Sequence, residues 1–446
     1  MRRVTGFTKA RELLSRRNYW ESFTSSPRGA GQASSKEASA WEVVQQIVAD
    51  VRFRGDEALR DYSRKLDGVE LDSLEVSREK IVAARDAVDG KLLEALELAA
   101  GRIRDFHSAV YREVSGTEQR PFVTSEHLGQ QVRPLDRVGL YVPGGTAAYP
   151  STVLMMAVPA RVAGVREIIM VSPPSAENGE IPAAALAAAA IAGVDRVFKV
   201  GGAQAVAALA FGTGSVPRVD KICGPGNIFV TLAKKMVYGA VAIDGLEGPS
   251  EAVIVADESA NPALCAADLL AQAEHDSLAS VILITTSTEL ADGVEREVAK
   301  QLAGMKRRSI AAQAADAGML LVVENIEEAI ELVNLFAPEH LSLMVPQAAS
   351  LVGKIRNAGC IFVGENSPIV LGDYIAGPSH VLPTGGSARF ASPLGIGDFL
   401  KVSNVIALDE TAMRELGQAA VVIAEAEGLE GHARAVEARL QRNNNG

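Results

Sequence analysis

Between residues 138 and 240, four short apolar segments each run into a turn rich in glycine or proline, and each turn opens into an apolar helix pattern. The segments are VGLYV, EIIMV, RVFKV and VDKIC, and their turns include PGGTAAYPS, GGAQ and GPGN. Consecutive strand–turn–helix units are typical of a parallel sheet, because each parallel strand needs a crossover before the next. The region therefore predicts a parallel sheet covered by helices.

A second set of apolar segments follows, with helix patterns between them: EAVIVAD, SVILITTS, LLVVEN and AGCIFVG. We interpret the 446 residues as an α/β protein with two Rossmann-like globules. The pattern is helical from 40 to about 115, a Ser-, Gly- and Pro-rich join lies at 24–36, and the tail breaks at Gly428. The predicted domains are an N-terminal arm at 1–36, a discontinuous first globule at 37–140 and 251–395, a second globule at 141–250, and a C-terminal helical tail at 396–446.

Composition excludes several classes of partner. The formal net charge is −11, which argues against nucleic acid and anionic membranes, since both favour basic patches. No apolar run reaches the roughly 18–20 residues that span a bilayer. The three cysteines are far apart, so we expect a reducing, cytoplasmic setting and no disulfide framework. The basic N-terminus is interpreted as a helical arm rather than a transit peptide, because nothing like a cleavage site follows it.

The stretch AQAEHD ends a helix pattern that begins at Asn261 and Pro262, which are favoured at a helix cap and at the first helical position. Gln272 and His275 stand three residues apart and are expected on one face of that helix. An amide and an imidazole so placed suit a metal ion. Taken alone, the pair is explained more simply as a capped helix end.

Glu339 and His340 are adjacent in APEHLSL, where Pro338 predicts that a helix stops before a strand starts. Burial and the charge of each residue on the other can shift the pKa values of such a pair toward neutral pH, which suits acid–base catalysis. Two solvated loop residues would give the same pattern. His107 and His127, in contrast, precede the sheets and are interpreted as structural or merely exposed.

Three further residues stand in unusual surroundings. Asp373 and His380 lie in LGDYIAGPSHVLPTGG, a loop shaped by Gly and Pro. His432 lies near a helix start, where the helix dipole disfavours the imidazolium and keeps the ring available as a ligand. With Gln272 and His275 these side chains offer the N and O donors that zinc accepts. They are scattered over 160 residues without a His-Glu-x-x-His motif, so the spacing leaves a metal site open.

The glycine-rich turns are the other chemical signal. Backbone N–H groups at helix N-termini favour anionic ligands, and open parallel sheets bind ligands at the carboxyl ends of their strands. No Gly-x-Gly-x-x-Gly fingerprint is present, so a dinucleotide would be held in a nonstandard way. Each turn by itself is also an ordinary tight connection.

From about residue 40 to 440 the chain resembles the histidinol dehydrogenase family. The resemblance rests on long motifs in family order, among them YVPGGTAAYPSTVLMMAVPARVAGV, VGGAQAVAALAFGT, DKICGPGNIFV, IDGLEGPSEAVIVAD, AQAEHD, APEHLSL, GDYIAGPSHVLPTGG, SPLGIGDFLK and AEGLEGHARAVEAR. It implies oxidation of L-histidinol through L-histidinal to L-histidine with two NAD+ and one zinc ion per subunit. It also implies a homodimer with exchanged terminal segments and an active site shared between subunits.

The resemblance assigns roles residue by residue. The zinc ligands would be Gln272, His275, Asp373 and His432, the last from the partner subunit. Glu339 and His340 would be catalytic, with His340 as the base and Glu339 activating water. The substrate-binding residues would be Ser250, His380 and Glu427 together with Gln272, His275, His340, Asp373 and His432. NAD+ would be bound by Tyr141, Gln204 and Asn227.

Two residues depart from the family pattern. Glu247 stands where Ala is usual, and Met156 stands where a smaller or polar residue is common. Three other functions remain as alternatives: a relative that oxidises a sulfonated diol with NAD+, a zinc hydrolase, and a non-enzymatic binder. A sulfonate would need Arg or Lys where Glu427 and His380 stand, so those two residues favour histidinol.

Overall fold

The computed structural model describes residues 1–15, 35–115, 122–123, 127–144 and 148–444. The chain forms two compact units. The first comprises Met1–Ala109 and Leu135–Phe399, and the second comprises Val110–Pro134 and Leu400–Gly446. Most of the predicted join at 24–36 lies outside the described residues.

The strands are β1 (Arg2–Thr5), β2 (Glu75–Val76), β3 (Phe122–Val123), β4 (Leu128–Pro134), β5 (Arg137–Tyr141), β6 (Glu167–Ser172), β7 (Arg196–Lys199), β8 (Lys221–Cys223), β9 (Ala242–Ile243), β10 (Glu251–Ala256), β11 (Ser280–Thr285), β12 (Met319–Val322), β13 (His340–Met344), β14 (Cys360–Val363) and β15 (Leu400–Ile406). The α-helices are α1 (Phe7–Leu14), α2 (Ser35–Arg54), α3 (Asp56–Tyr62), α4 (Arg78–Ala83), α5 (Gly90–Ser115), α6 (Pro150–Val162), α7 (Ala183–Ala192), α8 (Gly202–Phe211), α9 (Ile228–Val237), α10 (Pro262–Ala273), α11 (Thr288–Leu302), α12 (Arg308–Ala317), α13 (Ile326–Phe336), α14 (Ala348–Leu351), α15 (Ile369–Tyr374), α16 (Glu410–Ala426) and α17 (Glu430–Asn444).

Sheet 1 has the strand order β2-β7-β6-β5-β8-β9 and is parallel except for β2. Its central strand β5 comes first among the parallel strands. β6 and β7 then add on one side, and β8 and β9 add on the other. The parallel sheet predicted from the four strand–turn–helix units is thereby confirmed.

Sheet 2 has the order β1-β12-β11-β10-β13-β14, and every pairing in it is parallel. Its strand β10 is buried along its whole length, because helices cover both faces of the sheet. Ile254 and Ala256 belong to the core on one face, and Val253 and Val255 belong to the core on the other.

The segment that begins at residue 37 was predicted to pack with residues 251–395, but the structure groups its first part differently. Helix α2 packs on α8 and α9, and β2 pairs with β7, so residues 35–76 belong with sheet 1. The reason is that the apolar residues Val44, Ile47 and Val51 of α2 enter the core of that sheet. The predicted arm at 1–36 also differs, because β1 is the edge strand of sheet 2.

The second unit contains a three-stranded antiparallel sheet, β15-β4-β3, and a pair of packed helices, α16 and α17. The predicted tail at 396–446 was therefore only partly right, because β15 precedes its helices and pairs with residues 128–134. Within the described residues, no helix has both the length and the apolarity that a membrane span requires.

Candidate active site

The two sheets of the first unit are joined by a short connection. β9 ends sheet 1 at Ile243, and β10 begins sheet 2 at Glu251. Residues 244–250 therefore run from the carboxyl edge of sheet 1 to the amino edge of sheet 2. His340 is the first residue of β13, next to β10, and pairs in register with Ala252. The predicted catalytic pair lies at this amino edge.

Backbone groups of Glu251 position that pair. Its N–H donates to Glu339 Oε2 over 2.9 Å, and its carbonyl oxygen lies 3.2 Å from His340 Nδ1. A carbonyl only accepts, so Nδ1 carries a proton and donates. His340 Nε2 is left as the nitrogen that is directed to Asp373, whose Oδ1 lies 3.3 Å away.

His340 Nε2 is buried and has no aligned hydrogen-bond partner among the described residues. Burial by itself lowers the pKa of His340, but the carboxylates of Glu339 and Asp373 outweigh it and hold the pKa well above the ordinary value. A buried polar atom of this kind indicates a site that is completed by a ligand.

Two of the predicted zinc ligands are in contact. Gln272 Nε2 donates to Asp373 Oδ2 over 3.0 Å, and both residues are buried. Burial raises the pKa of Asp373, but His340, His380 and His275 lower it below the ordinary value, so the side chain is a carboxylate. His275 follows α10 and is exposed, which differs from the shared helical face that was expected.

The predicted ligands offer the types of atom that zinc accepts, but they are too few for a closed site. Gln272 offers an amide oxygen, Asp373 a carboxylate and His275 an imidazole, which zinc accepts. No group of three or more His, Cys, Asp or Glu side chains in the described ranges is arranged to hold a metal ion. A closed zinc site on these residues therefore needs a further ligand from elsewhere.

His380 connects this region with sheet 1. Its Nδ1 donates to the carbonyl oxygen of Asp373 over 2.6 Å, so Nε2 is the acceptor for the Thr152 hydroxyl at 3.2 Å. Burial lowers the pKa of His380, which keeps the ring neutral. Thr152 lies in the first turn of α6, beyond the carboxyl end of β5.

A cavity of about 330 Å³ opens beside these groups. Its lining includes His340, Cys360, Phe362, Asp373 and His380. Cys360 pairs in register with His340, and burial raises the pKa of its thiol. From the sequence, this cysteine was considered for disulfides, and no motif marked it as a cavity residue.

The carboxyl edge of sheet 1 contains the predicted NAD+ residues. Tyr141 ends β5, and its hydroxyl accepts a hydrogen bond from Gly202 N–H over 3.0 Å, while burial raises its pKa to about 12. Gln204 is buried in the first turn of α8, and its Oε1 has no partner among the described residues. Asn227 caps α9, where its Oδ1 accepts from the N–H groups of Phe229 and Val230.

Asp67 is a residue at this edge that sequence reasoning missed. Its charge raises the pKa of Tyr141, so the two groups are neighbours, and burial raises the pKa of Asp67 itself to about 6. Its Oδ2 is buried and has no partner in the described part of the chain. Gly68, which follows Asp67, has a positive φ and ends the helical segment Ser63–Asp67. This glycine was the only signal in the sequence near Asp67.

The remaining predicted residues fall in different places. Ser250 lies directly before β10, at the amino edge of sheet 2. Met156 is fully buried, and a Cβ at Gly224 would lie 3.0 Å from its sulfur, so it packs beneath that turn. Glu427 and His432 belong to the second unit, at the junction of α16 and α17, and both are exposed.

The fold and this constellation define an α/β protein with a buried Glu–His pair at the amino edge of sheet 2, next to the connection between two parallel sheets. The chain matches the histidinol dehydrogenase family over residues 31–440. It is 53% identical over 442 residues to a histidinol dehydrogenase of Dehalococcoides mccartyi (strain CBDB1), covering 99% of this chain and 100% of the relative. A relative from Geobacillus kaustophilus is 52% identical over 403 residues, covering 90% of this chain and 93% of that protein.

A solved structure agrees with these relatives. The crystal structure of histidinol dehydrogenase from Elizabethkingia anophelis superposes with a TM-score of 0.89 at 35% identity and covers 100% of this chain and 99% of that one. The chain belongs to the histidinol dehydrogenase family. Membership makes it an oxidoreductase and, through oxidation of histidinol, a protein of histidine biosynthesis.

Proposed function

We propose that this chain oxidises L-histidinol through L-histidinal to L-histidine, with two NAD+ as hydride acceptors and one zinc ion per subunit. The observation that carries the proposal is His340 Nε2. It is buried beside Asp373 in a cavity of about 330 Å³, and no described residue offers it an aligned partner. That atom is positioned to take a proton from a bound alcohol.

His340 is the base for the alcohol. Its Nδ1 stays fixed on the Glu251 carbonyl, so Nε2 alone is directed to the substrate. His340 acts as a base in its neutral form. The charges of Glu339 and Asp373 favour the imidazolium, and a metal ion bound to the Asp373 carboxylate would neutralise one of them. Glu339 activates the water that hydrates the aldehyde, because Glu251 N–H occupies Oε2 and leaves Oε1 to take the proton.

Zinc would be held by Gln272, His275 and Asp373, with His432 of the partner subunit as the further ligand. When bound, it orients the amine and imidazole of the substrate. The contact between Gln272 and Asp373 and the charge of His275 near Asp373 support this set. Ser250, His380 and Glu427 complete the substrate contacts, with the exposed Glu427 and His432 available to a second subunit.

NAD+ would bind the carboxyl edge of sheet 1. The parallel strands of this sheet follow one another outward from β5 on both sides, as in a Rossmann-like sheet. Three groups support that edge: the Tyr141 hydroxyl, the Asn227 cap of α9, and Gln204 Oε1, which is buried without a partner in the described part of the chain. We place the enzyme in the cytoplasm as a homodimer with exchanged terminal segments.

The test is NADH formation at 340 nm from L-histidinol and NAD+, before and after chelation and zinc readdition. Two NADH per histidinol, lost on chelation and regained with zinc, is the expected result. A zinc-loaded protein that makes no NADH from histidinol contradicts the proposal, and a sulfonated diol is then the next substrate to assay.

A further inference from the structure

A buried charged cluster lies at the carboxyl edge of sheet 1, next to the connection between the sheets. Lys234 of α9 is 0% exposed. Its Nζ lies 2.6 Å from Asp244 Oδ1, 2.6 Å from Glu247 Oε2 and 2.9 Å from the carbonyl oxygen of Gly224. One ammonium therefore links a helix, the turn after β8 and the connection at 244–250.

Asp244 fixes the turn after β8. Its Oδ2 accepts from Gly224 N–H over 2.6 Å, and its Oδ1 accepts from Gly245 N–H over 2.8 Å. Gly224 has φ +121°, and a Cβ there would lie 2.2 Å from the carbonyl oxygen of Tyr141. The turn is therefore pressed against β5, and Asp244 and Lys234 bind the N–H and the carbonyl oxygen of Gly224.

Glu247 fixes the middle of the connection. Its side chain binds Lys234, and its carbonyl oxygen accepts from the Thr231 hydroxyl over 3.1 Å. One residue further on, Gly248 N–H donates to Thr384 Oγ1 over 2.6 Å. The connection then enters β10 at Glu251, whose backbone holds Glu339 and His340.

Stability alone does not account for two carboxylates on one ammonium. Lys234 and Asp244 already form a neutral buried pair, and adding Glu247 leaves a net negative charge in the interior, which is unfavourable. Burial and the charge of Asp244 raise the pKa of Glu247 to about 7 despite the presence of Lys234. Burying Glu247 therefore costs either a net charge or a bound proton, so charge pairing with Lys234 alone is a weak reason for its presence.

We propose that Lys234, Asp244 and Glu247 form a positioning triad that couples the NAD+ edge of sheet 1 to the catalytic pair of sheet 2. Asp244 positions the turn at 224–227 for NAD+. Glu247 positions the connection and, through Glu251, the orientation of Glu339 and His340. The inference rests on the proposed function and deepens it, because it assigns separate kinetic effects to two neighbouring carboxylates.

The test compares steady-state constants of the zinc-loaded enzyme. Glu247→Ala gives the residue that is usual in the family, but in this chain it removes the second carboxylate from Lys234 and the anchor from the connection. It should therefore lower kcat for histidinol by about 10-fold, while KM for NAD+ changes less than about twofold. An unchanged kcat overturns the role of Glu247. Glu247→Gln keeps an acceptor for Lys234 and should recover part of kcat. Asp244→Asn should raise KM for NAD+ by about tenfold and change kcat less.

Glu75→Gln is the matched control, because Glu75 binds Arg196 at the opposite edge of sheet 1 through two bonds of 2.7 Å. It should leave both constants unchanged. The triad is overturned if Glu247→Ala and Asp244→Asn change kcat and the KM for NAD+ by the same factors. It is also overturned if the loss of activity in each variant only matches the loss of folded protein. If the wild type makes no NADH from histidinol, the proposed function fails. The triad then stands only if Asp244→Asn weakens the NAD+ Kd and Glu247→Ala does not.

Discussion

Thr152 and His380 are 228 residues apart in the sequence, yet Thr152 Oγ1 lies 3.2 Å from His380 Nε2. The bond joins the first turn of α6, beyond the carboxyl end of β5, to the loop that follows α15, the helix of Asp373. It also defines the tautomer of His380, because the ring already donates from Nδ1 to the Asp373 carbonyl.

Thr152→Val should leave His380 Nε2 buried without a donor. We expect a loss of about 1–3 kcal/mol in the free energy of unfolding and a higher KM for histidinol, since His380 is a proposed substrate residue. Urea unfolding and steady-state kinetics measure the two effects. Thr152→Ser keeps the hydroxyl and should restore both; failure of Ser to do so would assign the effect to packing.

His340→Asn should reduce turnover by about 10²- to 10⁴-fold, because the alcohol loses its proton acceptor. Zinc content should remain near that of the wild type, as His340 is not among the proposed ligands. Metal analysis of the purified variant decides between base and ligand, and a metal-free variant would make His340 a ligand.

Glu339→Gln should impair oxidation of histidinal more than zinc binding. The amide still accepts the Glu251 N–H but no longer takes a proton from water. Assaying histidinol and histidinal separately checks this. A loss confined to the alcohol step contradicts the assigned role.

His432→Asn and Gln272→Ala should each weaken zinc binding and activity. Mixing the two inactive variants should regain some activity if one site draws ligands from two subunits, because a mixed dimer contains one intact site. Zinc-loaded samples of each variant alone give the baseline, and no gain on mixing would place all ligands in one subunit.

His107 should make the protein sensitive to acid. It is 2% exposed in α5, its ring nitrogens have no partners among the described residues, and burial lowers its pKa to about 4. The unfolded chain binds the proton near pH 6.5, and the folded chain binds it only near pH 4. The free energy of unfolding is therefore highest above pH 6.5 and falls as the pH is lowered toward 4. His107→Phe should remove about 2 kcal/mol of the stability difference between pH 8 and pH 5. Urea unfolding at both pH values measures it, and an unchanged difference would contradict the role.

The sequence predicted the parts that depend on local pattern. Asn261 caps α10 and Pro262 begins it, as expected. The interpretation of His107 as a structural residue agrees with its burial in α5. The placement of Glu339 and His340 where a helix gives way to a strand is also confirmed, because α13 ends at Phe336 and β13 begins at His340.

Long-range pairing was not predictable in the same way. β1 and β2 are four and two residues long, too short for a periodic signal, and both pair with strands distant in sequence. Glu251 contacts Glu339 and His340 through its backbone, so its side chain gave no indication of these two contacts. Glu247 stood out in sequence only as a departure, because Lys234, its partner, lies on a different element.

The pairing of β1 with β12 also constrains how the chain is made. β1 is synthesised before its partner β12, and Met319 follows Arg2 by more than 300 residues. At ribosomal rates of about 5–20 residues per second, the first strand waits for its neighbour for roughly 15–60 s. The nascent chain thus carries an unpaired β1 while β10 and β11 are already made, and the outer edge of β11 stays open until β12 follows. Slowing translation between β11 and β12 should therefore lengthen the period in which this edge is open to aggregation.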